Sequence, residues 1–256
     1  MNTSPTTPGS PSRHRPSRII VTRLAAITAV AAILGPAATG CGTSSQSSTA
    51  TTSSSPPAPA TSSALPSAAQ LESALLTPGD LGTGFTTEPP TAGSGSSGNT
   101  TTSGCQGIEN LVNGTPGAQQ TEQESDLTGG QTGPFVEEVL LTEPTHTLAQ
   151  DYARDQAAMT SCTALTFSEG ATTLSLTLSP IHFGGPGTTS VRMDGTLDGI
   201  QVNGYIAIDR LGSVELGFIY FQLESGSSQL ASYYFTLAVA KAHSALGSLA
   251  GPTPTS

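Results

Sequence analysis

Basic residues are scarce in this sequence, which has 8 Lys and Arg against 18 Asp and Glu among 256 residues. Four of the eight are arginines that precede Cys41, a segment without acidic residues. Removal of that segment would leave Arg154, Arg192, Arg210 and Lys241 against all 18 acids, a net charge of −14. This balance argues against nucleic acid or anionic lipid headgroups as partners, because both bind positively charged surfaces.

Motifs of common catalytic, metal and cofactor sites are also lacking. The sequence contains no His-Glu-x-x-His pair, phosphate-binding loop, dinucleotide fingerprint or calcium loop. Glu137 and Glu138 are neighbours in a predicted strand, so they point to opposite faces and cannot form a catalytic pair. We therefore expect a protein that is not an enzyme and binds no cofactor or metal. A hydrolase whose site carries no recognisable motif is the alternative.

No apolar run reaches the roughly 20 residues of a transmembrane helix. The apolar segment Leu24–Leu34 follows a basic stretch and precedes Ala38-Thr39-Gly40-Cys41, which resembles a lipobox. Residues 1–40 are thus predicted to be a lipoprotein signal peptide, and Cys41 is predicted to carry diacylglycerol and palmitate. This lipid would be the only anchor, on the extracytoplasmic face of the cell membrane. An ordinary secretory signal beside an incidental cysteine is the alternative.

Composition divides the remaining chain into three parts. Residues 41–64 are rich in Ser, Thr, Ala and Pro and lack charge, so they predict a disordered stalk. Residues 65–249 are long enough for one domain, and 250–256 form a disordered tail. Within the domain, Thr91–Gly104 is predicted to be a mobile loop.

Strand patterns are clearest in the second half of the domain. Leu174, Leu176 and Leu178 alternate with polar residues, which is typical of a half-buried strand. Asp198-Gly199 suits a two-residue hairpin turn, and Val214–Leu223 is apolar at both alternating positions, so we expect a central strand covered on both sides. Together with flanking helices, these strands predict an α+β domain with an antiparallel meander β-sheet.

Four helices are expected around this sheet. They are predicted at Ala68–Leu76 with Ser67 as N-cap, Cys105–Val112, Thr142 or Thr145 to Ser161, and Gln229–Leu249. Thr77–Asp80 reads as a turn. In the third helix, Leu148, Tyr152 and Met159 mark the apolar face, and Asp151 and Asp155 are expected to point outward.

Cysteines number only three. With Cys41 lipidated in an oxidising compartment, Cys105 and Cys162 are expected to form a disulfide, worth ~4 kcal/mol in the chain-entropy model. Two free buried thiols are the alternative. Metal ligation is disfavoured, because neither cysteine has a second Cys or a His at ligand spacing.

The few basic residues supply the candidate ligand-binding residues. Arg192 and Arg210 lie on neighbouring predicted strands and, with Tyr205, could line one outer face of the sheet for an anionic or polar ligand. The alternative, which we favour, is that the arginines pair with acids on adjacent strands as surface charges.

Taken together, four features resemble the extracellular sensor domain of mycobacterial PknH-type serine/threonine kinases, which also occurs in stand-alone actinobacterial lipoproteins. The features are Leu75-Leu-Thr-Pro-Gly-Asp-Leu-Gly-Thr-Gly-Phe85, the Cys105 helix, the helix ending at Cys162, and the Val191–Leu223 strands with a closing helix. The resemblance implies an α+β fold with a ligand-binding cleft. The chain departs from it by lacking a kinase domain and by having one cysteine pair where the kinase sensor has two disulfides.

These observations favour a non-enzymatic, membrane-anchored lipoprotein that binds an unidentified cell-wall component, small molecule or protein partner. The alternative is a carrier of lipid or glycolipid between membrane and cell wall, which would require a large apolar cavity.

Overall fold

The computed structural model describes residues 65–87, 101–105, 108, 120–169 and 172–250. The signal peptide, Cys41, the stalk, most of the Thr91–Gly104 loop and most of the Cys105–Val112 helix lie outside the described residues. The described helices are α1 (Ala68–Ala74), α2 (Pro78–Leu81), α3 (Thr145–Ser161) and α4 (Ser228–Ala250). The strands are β1 (Thr86–Thr87), β2 (Thr101–Ser103), β3 (Thr121–Thr128), β4 (Phe135–Thr142), β5 (Ala164–Glu169), β6 (Thr172–Ile181), β7 (Thr189–Leu197), β8 (Ile200–Leu211) and β9 (Val214–Leu223).

All nine strands join one antiparallel sheet in the order β1-β3-β4-β9-β8-β7-β6-β5-β2. Strands β5 to β9 form a continuous meander, which confirms the predicted α+β class. The β7–β8 hairpin turns at Asp198-Gly199, where both residues have positive φ, 49° and 84°. That pair of values is the type I′ geometry preferred in two-residue hairpins. Strand β4 then pairs with β9, so β9 becomes a central strand, as its composition predicts.

One face of the sheet, called the α4 face, packs against α1, α2 and α4. Helix α4 contributes Ala231, Tyr234, Phe235, Ala238, Ala242 and Leu246, spaced three or four residues apart. The sheet contributes alternate residues of each strand, including Tyr205 and Phe218, and the rings of Phe218 and Phe235 meet edge to face with centroids 5.6 Å apart. The long apolar helix therefore covers the centre of the sheet.

The other face, called the α3 face, packs against α3. Tyr152 and Met159 of the helix are buried with Val191, Ile206 and Ile208 of the sheet, which confirms the predicted apolar side of this helix. At the C-terminal end of α3, Cys162 forms a disulfide with Cys105, 57 residues earlier, with a Cα–Cα distance of 5.8 Å. The predicted cysteine pairing is confirmed.

Three expectations need correction. Thr77–Asp80 is not a simple turn, because Pro78 begins α2 and the Asp80 carboxylate accepts the Thr77 backbone N–H at 2.7 Å. Strands β3 and β5 were not predicted, since β3 is almost entirely polar and β5 directly follows a helix. Asp155 does not point outward, as it lies half-buried on the same side of α3 as Tyr152 and Met159.

Within the described residues, no helix combines the length and hydropathy needed to cross a bilayer.

Candidate ligand-binding site

Four carboxylates lie near one another on the α3 face, beside the β8–β9 hairpin. This acidic cluster consists of Glu143, Asp151, Asp155 and Glu215. Glu143 follows the last residue of β4, and that residue, Thr142, pairs with Val214 at the start of β9. Leu141 lies directly opposite Glu215, so Glu143, two residues after Leu141, is the diagonal neighbour of Glu215. Helix α3 contributes the two aspartates one turn apart.

Hydrogen bonds fix α3 above this part of the sheet. The Tyr152 hydroxyl donates to the Gly187 carbonyl at 2.7 Å, and Gln156 Nε2 donates to Thr189 Oγ1 at 2.9 Å. Both acceptors belong to the turn and strand that follow β6. Because these bonds flank Asp155 in sequence, they set the rotation of the helix and hold the Asp155 side chain toward the sheet.

Burial and mutual repulsion change the protonation of the cluster. Glu215 is only 3% exposed, and burial, followed by the charges of Asp155, Asp151 and Glu143, raises its pKa to about 8. Burial likewise raises the pKa of Asp155 to about 6. The pKa of Glu143 is raised by burial, then by the charge of Asp151 and a hydrogen bond to it. The cluster therefore holds protons that isolated carboxylates would release near neutral pH.

Two arginines accompany the cluster in different ways. Arg154 projects from α3 and forms an ion pair with Asp151. Arg210 lies directly opposite Glu215 in the β8–β9 register, and its guanidinium carbon lies 5.9 Å from the centre of the Tyr152 ring. Among the described residues, no carboxylate lies within ion-pair distance of the Arg210 side chain. Arg210 therefore offers unused hydrogen-bond donors beside the acidic cluster.

The structure separates the three residues selected from the sequence. Arg192 and Tyr205 are paired across β7 and β8 on the α4 side of the sheet, whereas Arg210 lies on the α3 face. Tyr205 is 2% exposed and packs against Phe183 and Tyr220, so it belongs to the core. The three therefore do not line one face.

Arg192 pairs with an acid, as the alternative interpretation expected, but Asp194 lies on the same strand and not on an adjacent one. Its side chain is 45% exposed, and its Nε lies 2.8 Å from Asp194 Oδ2. Asn203 also donates a hydrogen bond to Asp194, at 2.6 Å. Asp194 is thus the shared partner of Arg192 and Asn203 in a small polar network on the opposite side of the sheet from Arg210.

A second buried carboxylate, Glu138, lies on the α4 face and has a different role. Its Oε2 accepts the backbone N–H of Leu76 at 2.6 Å, and Ser125 donates to the Leu76 carbonyl at 2.8 Å. These two bonds attach the segment between α1 and α2 to β3 and β4. Nearby, Lys241 of α4 forms an ion pair with Asp80 at 2.6 Å. Glu138 therefore holds a connection in place rather than forming part of the acidic cluster.

Comparisons with known proteins show which fold the chain shares. No protein-family model matches the chain, and no curated protein matches it in sequence. The crystal structure of the extracellular domain of PknH from Mycobacterium tuberculosis matches with a TM-score of 0.56 and 15% identity, covering 72% of this chain and 99% of that one. The chain shares its fold with the PknH extracellular domain.

The PknH resemblance inferred from the sequence is therefore confirmed as a resemblance of fold. A Mycobacterium smegmatis protein, the Rv0999 ortholog, also matches, with a TM-score of 0.35, 9% identity and coverage of 68% of this chain and 94% of that one.

Within the PknH-like fold, the acidic cluster was not predicted from the sequence. One signal was available, because Glu215 is an acid inside a strand that is otherwise apolar on both faces. A second was the spacing of Asp155, three residues after Tyr152 and four before Met159, which places it on the buried side of α3. Among the described residues, no group of three or more His, Cys, Asp or Glu side chains has an arrangement suited to a metal ion.

Proposed function

We propose that this protein is an extracytoplasmic, lipid-anchored domain that binds a ligand or partner without transforming it, in the manner of a sensor domain. The observation that carries this proposal is the fold shared with an extracellular domain, matched over nearly all of that domain's length. The lipobox-like Ala38–Cys41 and the stalk that follows it support the same location. The cell membrane is then contacted through the lipid on Cys41, and the domain reaches outward.

The acidic cluster with Arg210 is the binding site that we favour. It combines a buried carboxylate, a guanidinium without an acidic partner, and an aromatic ring at one end of the sheet. Polar groups of both signs that converge at the edge of a packed helix suit recognition of a small polar molecule.

A ligand screen by thermal shift tests the binding proposal. The domain, residues 65–256, would be purified in its oxidised form and mixed with peptidoglycan fragments, arabinogalactan oligosaccharides, phospholipids, amino acids and polyamines. A ligand that binds the folded state raises the melting temperature, and the increase grows with the logarithm of its concentration over its Kd. A screen in which no compound raises the melting temperature would contradict the proposal. Degradation of a compound during incubation, followed by chromatography, would indicate a hydrolase instead.

Lipids in the screen separate a sensor from a carrier. A carrier should retain lipid or glycolipid through purification, and native mass spectrometry would detect a bound molecule at about equal stoichiometry. A sensor-like domain that recognises a soluble molecule should be free of lipid beyond the chain attached at Cys41. A stoichiometric lipid would therefore replace the sensor proposal by the carrier alternative.

The lipid anchor is tested in cells with a Cys41→Ser variant. The wild-type chain should incorporate labelled palmitate and remain with membranes after washing with salt, whereas C41S should do neither. The double variant C105S/C162S is the matched control, because it loses two thiols but keeps Cys41 and should still be labelled. Labelling of C41S equal to that of the wild type would disprove the anchor.

A further inference from the structure

Arg210 and Glu215 occupy directly opposed positions of the β8–β9 ladder on the α3 face. Cross-strand neighbours of opposite charge usually form an ion pair. Here they form none within the 4.0 Å limit, and the guanidinium lies instead over the Tyr152 ring. The two charged groups therefore lie close together but form no hydrogen bond with each other.

Glu215 makes this arrangement costly. Its side chain is 97% buried, and its Oε2 has no hydrogen-bond partner within the described part of the chain. A buried carboxylate oxygen left without a partner destabilises a fold. Such atoms in folded proteins usually meet a ligand, an ion or a water molecule. The carboxylate is surrounded by Asp155, Asp151 and Glu143, so a cation is the partner that the surroundings favour.

Arg210 favours the opposite charge. Its guanidinium is half-buried, lies at the edge of the same cluster and has no acidic partner among the described residues. Guanidinium groups bind carboxylates with two parallel hydrogen bonds when one is available. A single molecule that carries both charges would satisfy Glu215 and Arg210 together.

We propose that Glu215, Asp155 and Arg210 form a binding site for a small zwitterion of amino-acid type, with its ammonium at the two acids and its carboxylate at Arg210. This inference rests on the binding function proposed above and specifies the chemical class of the ligand. Free amino acids and the ends of short peptides both present this pair of groups. Asp151 and Glu143 also act on Glu215 through their negative charge, and Arg154 forms an ion pair with Asp151.

Binding at this site should depend on pH in a defined direction. Burial raises the pKa of Glu215 to about 8, so the carboxylate is largely protonated at pH 6 and presents less negative charge to an ammonium. The other titratable or charged groups facing it are Asp155, Asp151 and Tyr152 on α3, Glu143 after β4, and Arg210 on β8. Ligand ammonium would release the Glu215 proton, and affinity should rise between pH 6 and pH 8.

Three kinds of probe test the two charged groups of the proposed ligand together and separately. Glycine and D- or L-alanine carry both charges, methylamine carries only the ammonium, and acetate carries only the carboxylate. Each would be added at up to roughly 50 mM to the oxidised domain at pH 8, and melting temperature and titration heat would be measured. We expect the amino acids to raise the melting temperature by several degrees and to bind at least tenfold more tightly than either single-charge probe.

Variants test the named residues. Arg210→Gln and Glu215→Gln should each lower affinity for the amino acids at least tenfold. Arg192→Gln and Glu138→Gln are the matched controls, because they change the same residue types on the opposite face and should retain wild-type affinity. Near-ultraviolet circular dichroism of each variant would establish that the fold is intact.

Several outcomes would overturn the inference. No response to any zwitterion, an equal response to methylamine alone, or unchanged affinity in R210Q and E215Q would each reject the site. Stabilisation by glycans or lipids in the broader screen, with none by amino acids, would reject the zwitterion and leave the proposed function standing. A screen in which nothing binds would reject both.

Discussion

Glu138 is fully buried on the α4 face, yet among the described residues only one of its two carboxylate oxygens has a partner, the Leu76 N–H. Burial raises the pKa of this carboxyl to about 7, an effect that outweighs the bond from Leu76. The bond holds the α1–α2 segment on the sheet, and the unpartnered oxygen makes the ionised form costly. Glu138 thus stabilises the connection between α1 and α2 through its hydrogen bond to Leu76. This stabilisation decreases as pH rises, because the ionised form is costly.

Substitution of Glu138 separates these two effects. Glu138→Gln keeps an acceptor for Leu76 and removes the charge, so its melting temperature should change less between pH 5.5 and pH 8 than that of the wild type. Glu138→Ala leaves the Leu76 N–H without an acceptor and should cost ~1–3 kcal/mol at both pH values. Unfolding by denaturant at the two pH values measures the stability of each variant. Glu72→Gln, on the exposed side of α1, is the control. Equal pH dependence in E138Q and wild type would contradict the expectation.

Gly195 illustrates a close approach between neighbouring strands. A Cβ at this position would lie 2.5 Å from the Ser175 carbonyl oxygen, a backbone atom that cannot move away without disturbing the β6–β7 ladder. We expect Gly195→Ala to destabilise the domain by ~1–3 kcal/mol. Gly185→Ala is the control, since a Cβ there meets no atom within 4 Å, and it should be nearly neutral. If G195A is as stable as the wild type, the strands β6 and β7 separate more easily than this contact implies.

Helix α3 links the two halves of the sheet. It leaves β4, crosses β9 and β7 on the α3 face, and ends at Cys162, whose disulfide to Cys105 joins it to the strand edge formed by β2 and β5. Tyr152 and Gln156 attach the middle of the helix to the turn before β7. The helix that carries Asp151 and Asp155 is therefore held at its centre and at its C-terminal end.

Removal of the disulfide should lower stability by ~2–4 kcal/mol, because the reduced unfolded chain gains the freedom of a long loop. Urea denaturation with and without reductant measures the difference. The variant C105S/C162S should match the reduced wild type and show no response to reductant. If reductant lowers the stability of C105S/C162S as much as that of the wild type, the loss of stability does not come from the disulfide.

At the scale of the whole molecule, the stability of the domain should rise as pH falls from 8 toward 5. Burial raises the pKa of Glu215 to about 8, of Glu138 to about 7 and of Asp155 to about 6. The folded state therefore binds more protons than the unfolded chain in this range, so the stability present at low pH is lost as pH rises through these values. The excess of acidic residues acts in the same direction through reduced repulsion on protonation.

Calorimetry at pH 5.5 and pH 8 checks this prediction. The free energy of unfolding should be larger at pH 5.5, by on the order of a few kcal/mol. The double variant E138Q/E215Q should show a smaller difference, because Glu124, whose pKa is raised by burial to about 9, and Asp155 still titrate in it, whereas Glu72→Gln should keep the full difference. A wild-type domain that is more stable at pH 8 would contradict the raised pKa values of the buried carboxyls.

The fold was largely predictable from local patterns, and the site was not. Alternating leucines, the Asp198-Gly199 turn and the doubly apolar Val214–Leu223 strand each report a local environment that the sequence encodes directly. Strand β3 was missed because its residues are polar and its pairing with β4 supplies the stability that its composition does not. Arg192, Tyr205 and Arg210 were expected on one face because they lie on neighbouring predicted strands, but Tyr205 and Arg210 are an odd number of residues apart in β8 and therefore face opposite sides of the sheet.

The sequence by itself determined the α+β class, the central strand, the apolar side of α3 and the cysteine pair, because these depend on periodicity, turn chemistry and the number of candidates. Only the tertiary structure decided that β4 pairs with β9 and that α3 crosses the sheet at that point. Those two long-range choices bring Glu143, Asp155, Arg210 and Glu215 together and bury them. The raised pKa values of Glu143, Asp155 and Glu215 arise from that packing, since burial and charge proximity are properties of neighbours that are distant in the chain.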